Sequence, residues 1–128
     1  MATEEDIRSV LEDLAMSHSS IKATMVAKRG MEGVMTFPDT FKDDVCGIWE
    51  PLSKSVNDML IMVEKHGSSG LRMAYLELFG YGILFDVFEG SDTALLAFMK
   101  DDKPVLNACD VLSKMEKATE RIISIITR

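Results

Sequence analysis

The two histidines and two cysteines are the residues best suited to nucleophilic or metal chemistry in this 128-residue sequence. Their spacing supports neither. His18 falls in the polar stretch Ser17-His18-Ser19-Ser20 and His66 at the end of a helical pattern, with no Cys, Asp or Glu at ligand spacing around either. A favourable charge at a helix C-terminus accounts for His66. Gly67 to Gly70 (Gly-Ser-Ser-Gly) has the composition of a phosphate loop, yet it follows a helix and precedes a strand. Phosphate binding draws on the free amides of a helix N-terminus, so this is a connector. Asp86, the lone acid between Ile83 and Phe88, fits a partly solvated position or a local hydrogen bond. Lys114, Lys117 and Arg121 alternate with Glu116 and Glu120, the pattern of a paired, solvated helix face rather than a phosphate site. No nucleophile, cofactor or metal constellation emerges, and the chain is expected to be non-enzymatic.

Charge excludes further classes. The 21 acidic against 14 basic residues leave a net charge of −7, the opposite of the clustered basic footprint that nucleic acid requires. It equally disfavours an anionic membrane surface. No apolar run approaches bilayer length, so no membrane insertion is expected. The N-terminus is acidic and amphipathic rather than basic then apolar, unlike a signal peptide, and two cysteines give no disulfide framework. A cytoplasmic location is the expectation. At 47% hydrophobic residues, one domain over residues 1–128 with a single core is the economical reading.

The elements follow from periodicity. Thr3 is placed to cap a first helix, with acids in its first turn and Ile7, Val10, Leu11 and Leu14 as one apolar stripe. Ile21 to Lys28 and Gly33 to Phe37 read as strands of a hairpin turned at Gly30 and Gly33 and ended by Pro38. Thr40 is placed to cap a second, long helix from Phe41 to His66. In it Phe41, Val45, Ile48, Trp49, Leu52, Val56, Met59, Leu60 and Val63 keep one phase. That phase crosses Pro51 unbroken, which predicts a kinked but continuous helix about 39 Å long. Strands Leu71 to Phe79, Ile83 to Phe88 and Thr93 to Met99 form a meander joined by Gly80-Tyr81-Gly82 and residues 89–92. Both of their faces are apolar, so both must be covered. A last helix starts near Asp102 and Pro104, with Val105, Ala108, Cys109, Leu112, Met115, Ile122 and Ile126 expected inward. Most of the ten methionines fall at core phases, as packing residues.

This order, helix, two strands, long helix, three strands, helix, resembles the roadblock/dynein-light-chain family over essentially the whole chain. One departure is local: Lys28 and Arg29 precede Gly30, where the family usually has an acidic residue. The resemblance implies an α/β (α+β) fold with a single five-stranded antiparallel sheet of order 2-1-5-4-3. The long second helix then covers one face and the two terminal helices the other. It also implies homodimers, or heterodimers with a second roadblock-like chain, pairing third strands edge to edge and long helices side by side. Members bind Ras-like small GTPases as scaffolds or activators; others link cargo to dynein.

Candidate sites follow. The third strand lacks proline, lysine or internal glycine to protect an edge, so Leu71, Met73, Tyr75, Glu77 and Phe79 are the expected dimer interface. On the second helix the outward side gathers Glu50, Lys54, Asn57 and Asp58, and Ile61 and Met62 fall on or beside it. Two apolar residues there, on the face that the resemblance assigns to contacts, make these six the expected partner-binding set. The implied fold puts Cys46 and Cys109 on opposite sides of the sheet, out of disulfide reach. Cys109 is then expected as a small core residue and Cys46 as a semi-exposed thiol. The leading expectation is a dimeric interaction module that regulates or scaffolds a Ras-like GTPase. The alternatives are a small-molecule sensor, which needs a cavity that these bulky strands disfavour, and a dynein-type cargo adaptor.

Overall fold

The computed structural model describes residues 2–28, 34–66, 73–78, 80–88, 93–100 and 104–127. Its elements are α1 (Ala2–Met16), β1 (Ile21–Lys28), β2 (Met35–Phe37), α2 (Phe41–Asp44), α3 (Trp49–His66), β3 (Met73–Leu78), β4 (Tyr81–Val87), β5 (Thr93–Met99) and α4 (Pro104–Thr127). The strands form one antiparallel sheet in the order β2-β1-β5-β4-β3. That is the expected order.

The centre of the sheet explains its composition. All seven residues of β5 are buried, because helices cover both faces and neither side of the pleat meets water. Leu95, Ala97 and Met99 point into one core with Val10, Leu11 and Leu14 of α1 and Val111, Met115 and Ile122 of α4. Ala94, Leu96 and Phe98 point into the other with Phe41, Val45, Leu52, Val56 and Leu60. Phe98 is packed at 4.7 Å between ring centroids against Phe41, and Tyr81 meets both rings.

The long second helix is not continuous. α2 is a single turn, Val45 leaves helical geometry, Cys46–Ile48 form a 3-10 turn, and α3 begins at Trp49. Pro51 supplies the reason. Inside one continuous helix its missing N–H would leave the Gly47 carbonyl without a partner, and its ring would crowd that carbonyl. Restarting at Trp49 puts Pro51 in a first turn, where no such amide is required. The apolar phase survives because the intervening turns bring Ile48 and Trp49 back onto the same core. Thr40 does not cap by its side chain; its backbone is helical and its hydroxyl makes no capping bond.

Other boundaries shift. α1 starts at Ala2 rather than after a Thr3 cap. Gly80, just before β4, has a φ of 85° that suits glycine, and Tyr81 and Gly82 belong to the strand. Gly30 and Gly33 of the hairpin tip, the Gly67 to Gly70 connector, Leu71 and Phe79 lie outside the described residues.

The rotation of α4 also needs correction. Its buried line is Val111, Met115, Ala118 and Ile122, whereas Cys109 is exposed and Ile126 is 52% exposed. Leu112 is half-buried, and the side chains of Val105 and Ala108 lie outside the described residues. The helix carries apolar residues on several sides, so periodicity alone did not select the buried one. A tertiary contact does: Thr119 Oγ1 donates to the buried Asp86 Oδ2 of β4 at 2.6 Å.

Candidate functional site

The outward stripe of α3 exists as expected. Leu52, Val56 and Leu60 are buried against the sheet, and at 3.6 residues per turn the opposite side carries Glu50, Lys54 and Asp58. All three are exposed, and Met62 is 44% exposed beside them. Asn57 sits on the margin of this stripe and Ile61 on the line between Glu50 and Lys54, and both are half-buried. The outward side of α3 therefore presents a small apolar surface bounded by charge. Ser55, on the same helix, is occupied internally: its hydroxyl donates to the Pro51 carbonyl at 2.8 Å.

The third strand is an edge. One side of β3 pairs with β4 from Met73 opposite Asp86 to Leu78 opposite Tyr81, and no strand among the described residues lies on its other side. Met73 and Tyr75 contribute to the core under α1 and α4, while Ala74 and Leu76 contribute to the core under α3. Both pairs are half-buried, and Glu77 is exposed. The Tyr75 hydroxyl donates to Glu77 Oε1 at 3.2 Å. The pleat thus separates the two expected sites: Met73, Tyr75 and Glu77 stand on the face opposite α3, where the partner-binding set lies. Among the described side chains of β3, Ala74 and Leu76 are the ones that pack on the α3 side.

The chemically capable residues are scattered. Among the described residues, no group of three His, Cys, Asp or Glu could hold a metal ion. Cys46 and Cys109 are both free and exposed, which agrees with the reading of Cys46 and overturns the core role for Cys109. His18 Nδ1 accepts the Ser20 amide at 3.1 Å and so shapes the α1–β1 turn. Asp86 is fully buried and hydrogen-bonded to Thr119, so the partly solvated reading gives way to the hydrogen-bonded one. Its partner comes from another element, which the strand sequence could not reveal. Arg121 pairs across to Asp13 of α1 at 3.0 Å. Between these helices runs a groove of about 550 Å³ lined by Asp6, Ser9, Lys117, Glu120, Arg121 and Ser124, among others. Acids and bases alternate around it, so it offers no net field to an anion. No helix among the described residues is long and apolar enough to cross a membrane.

Solved structures share this architecture. MglC from Myxococcus xanthus superposes with a TM-score of 0.66 at 11% identity, over 91% of this chain and 96% of that one. Myxococcus xanthus MglB gives 0.67 at 14%, over 94% of each chain. A Roadblock/LC7 domain from Streptomyces avermitilis gives 0.62 at 11%, over 94% and 97%. No family model matches the sequence, and no curated protein does. At such identities the agreement is one of fold, and the fold is the roadblock fold.

Proposed function

From the roadblock fold, we propose that this chain is a non-enzymatic, dimeric interaction module that binds a Ras-like small GTPase and regulates or scaffolds it in the cytoplasm. The observation that carries the reading is the outward face of α3. There Met62 and half-buried Ile61 form an apolar centre among Glu50, Lys54, Asn57 and Asp58, the anatomy of a small interface with a wet rim. The open edge of β3 supports self-association, or association with a second roadblock-like chain, because an unprotected edge templates another strand. A module of this kind needs no reacting groups of its own, since a bound partner can reposition those of the GTPase. The fully buried Phe85, Leu95, Leu96 and Phe98 fill both sides of the central strands, which weighs against a ligand-binding sensor.

The test is a pull-down of the Ras-like GTPases of the source organism, each loaded with GTP or GDP, on the immobilised chain. Nucleotide-dependent capture supports the reading. Retention of a small ligand with no GTPase captured overturns it.

A further inference from the structure

The ten methionines do not all serve as packing. Among the described residues Met25, Met99 and Met115 are fully buried, and Met35, Met59 and Met73 are half-buried against the two cores. Met16 and Met62 differ, at 77% and 44% exposed. Met16 ends α1, on the far face of the sheet from α3. Met62 stands in the outward surface of α3, where it exposes more apolar area than half-buried Ile61. The accessible part of that apolar centre is therefore largely a thioether.

A thioether is an apolar group that a mild and reversible reaction makes polar. A hydroperoxide supplies the oxygen. A lone pair on Met62 Sδ attacks one peroxide oxygen, the S–O bond forms and the O–O bond breaks. The proton of the transferred oxygen passes to the departing hydroxide, which leaves as water when the oxidant is hydrogen peroxide. Sulfur loses two electrons and the peroxide gains them, giving the sulfoxide. Exposure sets which methionines react, because the sulfur must meet the oxidant from solvent. The surroundings of Met62 also suit the product. Lys65, one turn on and exposed, can donate to the new oxygen, since residues three apart are neighbours on a helix surface. Oxidation then replaces an apolar centre by a hydrogen-bonded polar one.

We propose that Met62 is a peroxide-sensitive modification site, whose sulfoxide makes the outward face of α3 polar and releases the partner held there until it is reduced. The site rests on exposure and position. Its regulatory role rests on the reading of this face as the one that binds a GTPase.

The test uses the full-length chain carrying Cys46→Ser and Cys109→Ser, because both thiols are exposed and react with peroxide as well. After treatment with hydrogen peroxide, peptide mass mapping reads the added oxygen at each methionine. Met62 and Met16 should oxidise at least about ten-fold faster than Met25, Met99 and Met115, with the melting temperature unchanged. Retention on a butyl column reads the apolar surface with no GTPase present. In a Met16→Leu chain peroxide should shorten retention, and methionine sulfoxide reductases, one for each epimer, should restore it. With Met62→Leu added, peroxide should leave retention where it was. GTPase capture, compared before and after peroxide within each chain, should fall by about ten-fold or more in the parent and in Met16→Leu, and hold its starting level in Met62→Leu. Met62 oxidising no faster than Met25, or an equal loss of retention or capture in the Met62→Leu chain, overturns the proposal. An untreated chain that captures no GTPase overturns the functional reading instead, and the site then stands or falls on the oxidation rates and the retention.

Discussion

Thr119 Oγ1 and Asp86 Oδ2 meet at 2.6 Å between α4 and β4, and both residues are buried. The hydrogen bond fixes the rotation of the last helix on the sheet. That rotation decides which residues of α4 face α1 and which face β3. Thr119→Val keeps the shape of the side chain and removes the donor to a buried acid, and the expected cost is about 1–3 kcal/mol. Urea denaturation of the variant beside the parent measures it. No loss of stability would mean that the contact does not hold the helix.

Leu60→Ala should destabilise the fold by about 2–5 kcal/mol and Val56→Ala by less, because both side chains are buried in the core between α3 and the sheet. Chemical denaturation again provides the measurement. An unaffected Leu60→Ala chain would be incompatible with this phase of α3.

Both cysteines should react under native conditions. Cys46 lies in the 3-10 turn before α3 and Cys109 on α4, each exposed and free. A thiol-specific chromogenic reagent should titrate both without denaturant. Titration of one alone would return Cys109 to the core and with it the earlier orientation of α4.

Light scattering at micromolar concentration should give twice the 14.2 kDa chain mass. The basis is the edge of β3, which no described strand covers, while the other edge, β2, is only three residues long. A monomeric mass contradicts edge pairing.

On α3, Met62→Asp should leave stability within about 0.5 kcal/mol, as for other surface sites. Ile61→Asp should cost more, because Ile61 is half-buried. The pair of substitutions should abolish GTPase capture while the dimer mass persists. If the dimer dissociates instead, these residues belong to the seam between subunits. Survival of melting temperature, dimer mass and capture together places the functional face elsewhere.

Much of this architecture was legible in the sequence because periodicity reports burial directly. The stripe Ile7, Val10, Leu11 and Leu14 is buried as read, and both faces of β3 are apolar as read, with half-buried Met73 and Tyr75 against one core and Ala74 and Leu76 against the other. The outward placement of Glu50, Lys54, Asp58 and Met62 followed from the same arithmetic. Two things did not follow. The break before Trp49 was hidden because its turns return the chain to the same apolar phase, so Pro51 looked like a kink. The rotation of α4 was hidden because apolar residues ring the helix, and only Asp86, on a distant strand, selects the buried side through Thr119. Sequence determines which faces of each element avoid water; the tertiary structure decides which of those faces find cover.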